Sequence, residues 1–559
     1  MKLIERRVGL LFALFAIAFC GVLLRAAWLQ TVKGGEFSAD ARSQQTATVA
    51  VPGIRGSILD SRGEGLAVSE DAATVFATPY QVEDPEKTAE KLYELLSESD
   101  DKIKENDILD SLIAETGFEY VARKVSLVVA DKIEKLELPG IGILPDSRRV
   151  YPQGEIGARL VGAVGLDGAG LFGIEASEDD VLHGTDGEVA VTRDALGDEI
   201  SRDTIADADA GGTVQLTIDG KIQAETESVL NELGETYQPE GATAIVMNPQ
   251  TGDILSMASW PPIDPTNLDG TDPDLLSNMA TSFTYEPGST FKAFTVAGAE
   301  EEGLVKPTTT FDLAPSITVA DRTIEESHAR GFETMSVADI LKVSSNVGAV
   351  TIGLKLNKGQ YGSRFDEWVR QFGFGAPTGI DYPGEEQGIV PTPDQYSGST
   401  MGNLPIGQGL SVTPLQMLQG YAAIANGGTM RTPRIVESVD GQEEPTDPGT
   451  QILSHKTARD LRTMLEGVLE EGGTASSVSV PGYVLAGKTG TAQKVVDGEY
   501  SDTQYVASFV GFAPAKHPEL LAAVVVDDPK GDYYGGSVAA PAFGKIASFA
   551  LPYLGIPPD

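Results

Sequence analysis

Cysteine is almost missing: Cys20 is the only one in 559 residues, so no disulfide can form within the chain. Basic charge is scarce as well. Lysine and arginine total 41 against 82 acidic residues, a net charge of −41, and a surface that acidic repels phosphate backbones. Nucleic acid is therefore excluded as a partner, and the composition is compatible with solubility at raised salt. The four histidines, His183, His328, His455 and His517, fall in no triad or ligand spacing and read as surface or packing residues. No metal is expected. Internal repeats and low-complexity tracts are lacking too. Apolar content is ordinary at 41%, so the chain folds, and its length calls for two or three soluble units rather than one core.

Long hydrophobic runs are limited to one. After MKLIERR, residues Val8–Leu24 carry no charge over seventeen positions, and Trp28 follows where an interfacial aromatic anchors a span. Lys2, Arg6 and Arg7 precede the run, so the positive-inside rule places residues 1–7 in the cytoplasm and everything beyond Trp28 outside. The alternative is a signal peptide cut after Ala16-Ile17-Ala18, which leaves an h-region of about ten residues while the apolar run continues past the site. Phe19 before Cys20 does not suit a lipoprotein cysteine. The expected organisation is a tail (1–7), a transmembrane anchor (8–28), an N-terminal module (29–211) and a second domain (212–559).

From Gln30 to about Ala210 the sequence is a patchwork of short strands, turns and charged runs, with Lys87 to Glu115 reading as exposed helices. Gly168-Ala-Gly170-Leu-Phe-Gly173, with Asp194 further on, matches a dinucleotide pattern, but the βαβ rhythm is absent and a tight loop is the better reading. The composition changes at DADAGG (207–212). Beyond it, 216–234 has helical spacing, and 242–259 reads as strand, Pro-Gly turn and strand. Helices are signalled at Val337–Leu354, Thr413–Ala425 and Lys456–Leu469, with Thr413 capping and Pro414 opening the second of these. YVLAGKTGTAQKV, YVASFVGFAP and ELLAAVVVDD read as strands, and LPYLGIPPD as a Pro-rich end. Helices in the middle with strands at both ends imply an α+β layout, one antiparallel sheet covered by helices.

In YEPGSTFKAF (285–294), Ser289 either caps a helix or serves as a nucleophile whose base is one turn away. Positions i and i+3 share a helix face, so Lys292 reaches Ser289, and burial among Phe291, Phe294 and Val296 lowers the lysine's pKa. The spacing alone is weak, since Ser99-Asp-Asp-Lys102 has it on a charged run. Company separates the two. Ser344-Ser345-Asn346 is the only S-x-N in the chain and Lys488-Thr489-Gly490-Thr491 the only K-T-G. In this order, within one domain, they resemble the three motifs of the penicillin-recognising serine acyltransferases. RGSILDSRGEGLA (55–67), RVYPQGEIGARLVGAVG (149–165), IGQGLSVTPLQM (406–417), YYGGSVAAPAF (533–543) and the anchor extend the resemblance over essentially the whole chain, to a class B penicillin-binding protein. The GLFGIE pattern and the LGIPPD ending look more like its division, FtsI-type branch than its elongation branch. Asp60-Ser61-Arg62-Gly63 departs from the family's Asp-Arg-x-Gly.

The resemblance implies a peptidoglycan D,D-transpeptidase for septal wall synthesis, inhibited covalently by β-lactams, with a pedestal or dimerisation-type N-terminal module and no cofactor. Ser289 would attack the carbonyl between the last two D-alanines of a stem peptide, with Lys292 as base. Ser344 would relay the proton to the leaving amine, and Asn346 would hold the substrate amide and orient Lys292. Backbone N–H groups of Ser289 and Thr491 would form the oxyanion hole. Lys488, Thr489 and Thr491 would receive the terminal carboxylate, and Gly490 would let the strand approach the ligand. The partners implied are a SEDS-family membrane glycosyltransferase and other divisome proteins. Two further readings are an elongation-type enzyme and a catalytically idle scaffold. A β-lactamase is disfavoured because Glu227-Ser-Val-Leu-Asn231, which imitates E-x-x-L-N, precedes the nucleophile instead of following S-x-N. A membrane-bound sensor is disfavoured because seven residues hold no signalling domain.

Overall fold

The computed structural model describes residues 2–33, 46–98, 102–193, 199–358, 363–496 and 498–559. Asp194 and the Ser99–Asp101 part of the second Ser–Lys spacing lie outside them. One helix, Lys2–Thr31, takes in the apolar run, and its segment Arg6–Thr31 is long and apolar enough to cross a membrane. At 1.5 Å per residue, 26 residues span about 39 Å, more than the ~30 Å hydrocarbon core.

Two compact units follow from how the chain packs, and neither is continuous in sequence. The first comprises residues 1–54, 71–148 and 184–210; the second comprises 55–70, 149–183 and 211–559. In the first unit, strands Thr46–Val51, Gly187–Arg193 and Glu199–Ala206 form an antiparallel sheet in that order. Its separate core gathers Val75, Leu92, Leu96, Ile108, Leu112, Val129 and Ile133. The charged stretch read as exposed helices thus buries one face. Helix Pro85–Leu96, opened by Asp84 as cap and Pro85 in its first turn, places Ala89, Leu92 and Leu96 at i, i+3 and i+7. That stripe is narrow, and the lysines and glutamates between its members obscure it.

The second unit is built on a five-stranded antiparallel sheet, with strands in the order Ile254–Trp260, Gly241–Met247, Leu520–Asp527, Glu499–Ala513 and Ala486–Val496. All eight residues of the central strand Leu520–Asp527 are buried, because both faces are covered, and this is why it reads as an unbroken apolar run. One face packs Ala244, Phe509 and Val524 against Ile222, Leu230, Phe543 and Ile546 of helices Gly220–Tyr237 and Ala539–Tyr553. The other packs Ile245, Val510 and Val525 with the main core, which includes Phe291, Phe294 and Leu418. Helix Ala539–Tyr553 is not signalled in the sequence, since Pro541, Gly544 and Pro552 interrupt its pattern. Pro541 is tolerated because it lies in the first turn, where no intrahelical N–H bond is required. Helix Pro414–Ala425 matches expectation, with Thr413 and Gln416 closing a full capping box.

The two early segments of the second unit carry the RGSILD, RVYPQ and GLFGIE stretches, and their chemistry is structural. Glu175, fully buried, accepts from Arg55 Nε at 2.6 Å and Arg149 Nε at 2.7 Å, while Asp179 takes Arg55 Nη1 at 2.6 Å. Gly168 O accepts from the same Arg55, and a Cβ on Gly170 would lie 2.0 Å from Glu175 O. The glycine pattern serves this close packing, in agreement with the tight-loop reading. In the departing Asp60–Gly63 stretch, Asp60 accepts from the N–H groups of Arg62 and Glu64, and Arg62 bonds Asp219 at 2.9 Å over the Tyr553 ring. Glu227 accepts from Gly157 N–H at 2.9 Å and the Gln223 amide at 2.8 Å. It is a support for the chain turn at Gly157.

Candidate active site

Ser289 is not a helix cap. It lies inside a short 3₁₀ turn, Gly288–Phe291, that runs directly into helix Lys292–Glu301, and no side chain caps either element. The residue is partly buried, and its hydroxyl makes no hydrogen bond among the described residues. The turn is held from beneath. Thr290 Oγ1 donates to Pro287 O at 2.7 Å, Tyr421 donates to Thr290 O at 2.7 Å, and Phe291 packs on Phe294 and Phe374 with ring centroids 5.4 and 5.2 Å away. On its flank, Gly288 N–H donates to Gly407 O at 3.0 Å. Gly407 is left-handed at φ 76°, and a Cβ on it would lie 2.2 Å from Gly288 O, which accounts for the glycine of IGQG.

Lys292 is fully buried on the first turn of its helix. Its amine donates to Ser344 O at 2.6 Å, to Asn346 Oδ1 at 2.6 Å and, more weakly, to Ser344 Oγ at 3.3 Å. Burial pulls its pKa down to about 7; the Glu326 carboxylate opposes this and Arg330 adds to it. The lysine is thereby poised to exchange a proton near neutrality.

The expected single helix over Val337–Leu354 is in fact two, Val337–Lys342 and Asn346–Leu356, with the S-x-N motif at the break. Ser344 has φ 60°, the left-handed region, at a cost on the order of 1 kcal/mol for a serine. Apolar periodicity continues across the break, so the sequence does not announce it. Ser345 caps the second helix, accepting from Gly348 N–H at 2.9 Å, and donates its own hydrogen to Glu326 at 2.5 Å. Glu326 also accepts from Asn346 N–H at 2.7 Å, and Glu325 O accepts from the Asn346 side chain at 2.8 Å.

The third motif lies on the edge strand Ala486–Val496, packed against the serine turn. A Cβ on Gly490 would fall 3.0 Å from both Pro287 O and Thr290 Cγ2, and one on Gly288 would fall 3.3 Å from Thr491 O. Lys488 is fully buried, and burial together with Lys292 holds its pKa well below the ordinary lysine value. Its amine donates to Thr489 O at 3.3 Å. Thr489 pairs with Thr474 at 2.6 Å, and Thr491 Oγ1 accepts from Gly535 N–H at 3.0 Å. The YYGG segment thus lies along this strand, and its Tyr534 ring is 5.9 Å from that of His328. The structure therefore gathers all three motifs around Ser289. Glu326 went unmarked in the sequence, because nothing in the spacing of IEESH ties it to a motif twenty residues away. Among the described residues no cluster of metal ligands occurs.

This geometry agrees with the comparisons to known proteins. The penicillin binding protein transpeptidase domain family matches residues 242–548, and the penicillin-binding protein dimerisation domain family matches residues 50–216. Stage V sporulation protein D of Bacillus subtilis is 35% identical over 99% of this chain and 86% of its own length. Peptidoglycan D,D-transpeptidase FtsI of Escherichia coli K12 is 33% identical over 100% of this chain and 93% of its own. The crystal structure of penicillin binding protein 3 from Mycobacterium tuberculosis in complex with aztreonam superposes with a TM-score of 0.71 at 30% identity, covering 91% of this chain and 98% of that one. The chain belongs to the class B penicillin-binding proteins, with an α+β transpeptidase domain, a dimerisation domain and an N-terminal apolar helix. It is an enzyme of the D,D-transpeptidase class.

Proposed function

We propose that this protein cross-links peptidoglycan stem peptides during septal wall synthesis through an acyl-enzyme on Ser289, and that β-lactams trap that intermediate. The observation that carries the reading is the buried Lys292 amine, shared between Ser344 and Asn346 with a pKa near 7. Ser289 Oγ attacks the carbonyl between the last two D-alanines, and its proton passes to Lys292. The tetrahedral oxygen is held by the N–H groups of Ser289 and Thr491. Ser344 passes the proton to the departing D-alanine nitrogen as the C–N bond breaks. An amine from a second stem peptide then attacks the ester, loses its proton to the same base, and Ser289 is restored as the new amide forms. Asn346 holds the donor amide, and Lys488, Thr489 and Thr491 hold the terminal carboxylate, with Gly490 allowing close approach. No cofactor enters the scheme. Mass spectrometry after incubation with a penicillin tests it: a long-lived adduct on Ser289 is expected, lost in Ser289→Ala and almost lost in Lys292→Ala. An adduct elsewhere overturns the assignment, rapid turnover points to a lactamase, and no adduct points to a scaffold.

The likeness to FtsI over the full chain supports a division role, with the N-terminus cytoplasmic, residues 212–559 catalytic and a SEDS-family glycosyltransferase and divisome proteins as partners. Small residues Gly21, Ala26 and Ala27 on the apolar helix suit close helix packing. Exchange of Val8–Leu24 for an unrelated span is expected to weaken co-purification with that polymerase. The sporulation relative favours a second reading, a wall enzyme used only in development. Localising a fluorescent fusion in growing cells separates the two.

A further inference from the structure

The carboxylate of Glu326 grips the S-x-N motif at two points while facing the buried lysine, and neither motif residue spacing nor the reaction scheme assigns it a task. We propose that Glu326 is a positioning residue of the transpeptidase reaction, which fixes Ser344 and Asn346 against Lys292 and tunes the proton affinity of that amine. The inference rests on the acyl-enzyme reading given above.

Three observations carry it. First, both oxygens are engaged on the same short stretch: Oε1 accepts from Ser345 Oγ at 2.5 Å and Oε2 from Asn346 N–H at 2.7 Å. Charge-assisted bonds of this kind are short and about twice as strong as neutral ones. Second, the stretch they hold is under strain. Ser344 sits left-handed at φ 60° between two helices, and such a conformation persists only where its surroundings fix it from several sides. Asn346 is held from both ends, its N–H by Glu326 and its side-chain amide by Glu325 O at 2.8 Å, which leaves Oδ1 aimed at Lys292. Third, the carboxylate lies at the N-terminus of helix Asn346–Leu356, where a negative charge is favourable and the first N–H groups need acceptors.

The electrostatic consequence has a definite sign. The charged groups facing Lys292 are Glu326, which stabilises its ammonium form, and Arg330, which opposes it; Lys488 lies near as well, and Lys292 lowers the pKa of that second amine. Arg330 is carried by the same loop as Glu326 and donates to Val343 O at 3.1 Å, next to Ser344. Loss of the Glu326 charge leaves burial and Arg330 unopposed, so Lys292 gives up its proton at lower pH.

The test is the pH profile of acylation of the full-length protein by a fluorescent penicillin, with Ser289 labelling of the wild type as the reference. Glu326→Gln preserves the size of the side chain and removes its charge. The expected result is a fall of roughly ten-fold in the plateau rate, with the ascending limb displaced to lower pH by about one unit. Glu326→Asp, which keeps the charge on a shorter arm, is expected to return the limb to its wild-type position with a partly restored plateau. Ser345→Ala removes one of the two grips and is expected to lower the plateau without moving the limb. A Glu326→Gln protein that loses thermal stability while its limb stays in place overturns the proposal, as does an unchanged profile or an unrestored limb in Glu326→Asp. If the wild type itself gives no Ser289 adduct, the acyl-enzyme reading fails and the inference falls with it.

Discussion

The Nζ of Lys292 lies 2.6 Å from Oδ1 of Asn346, across 54 positions of sequence. That bond joins the nucleophile turn to the broken helix, and it fixes where the proposed base points. Removing Asn346 leaves the amine buried with Ser344 O as its main acceptor. Asn346→Ala is therefore expected to slow acylation by roughly a hundred-fold. Because the two side chains act as a unit, Asn346→Ala added to Lys292→Ala is expected to cost little more than Lys292→Ala alone, which a double-mutant cycle on penicillin acylation rates checks.

A lysine that acts as base must be neutral. With its pKa near 7, Lys292 is charged below neutrality and free above it, so the acylation rate is expected to rise through an apparent pKa of about 7 and then level off. Lys292→Arg carries a guanidinium that stays protonated, and it is expected to lose the rate at every pH. Stopped-flow acylation between pH 5 and 9 measures both.

Gly490 has no room for a side chain. Its Cβ would meet Ser508 Oγ at 2.3 Å and Pro287 O at 3.0 Å, so Gly490→Ala pushes the edge strand away from the serine turn. A cost of about 1–3 kcal/mol in stability and a loss of penicillin labelling are expected. Ser508→Ala in the same protein removes the nearer obstacle, and partial recovery of the melting temperature is expected from calorimetry.

Glu175 is the carboxylate that the buried guanidinium groups of Arg55 and Arg149 share. Glu175→Ala leaves buried Arg149 without its carboxylate and Arg55 with Asp179 alone, and is expected to destabilise the second unit by about 3–5 kcal/mol. Glu175→Gln retains an acceptor and is expected to cost less. Urea denaturation of both variants gives the comparison.

Burial lifts the Glu227 carboxyl from its ordinary 4.5 to about 7. A raised carboxyl binds its proton more tightly in the native state, so this group's contribution falls as pH rises from about 4.5 to 7 and stays low above that. Glu227→Gln keeps the acceptor for Gly157 N–H and carries no charge. It is expected to match the wild type at pH 4 and exceed its stability at pH 8 by about 3 kcal/mol, as thermal melts at the two pH values report.

Much of this protein is local information. The apolar run is its own evidence for the N-terminal helix. Ser289 and Lys292 share a face because of their spacing, Thr413-Pro414 opens a helix as caps do, and the tail strands carry their apolar runs openly. The three motifs identify the family because each is read within a few residues. What the tertiary structure decided lies between residues far apart. It broke Val337–Leu354 at Ser344, where a left-handed serine is stable only because Lys292, Glu326 and the flanking helices hold the segment. It made a helix of Ala539–Tyr553 despite its prolines and glycine, since packing on the sheet outweighs weak propensity. It also drew residues 55–70 and 149–183 into the second unit, where Glu175 is satisfied by arginines 26 and 120 positions away. Such contacts follow from long-range packing, which no window of sequence contains.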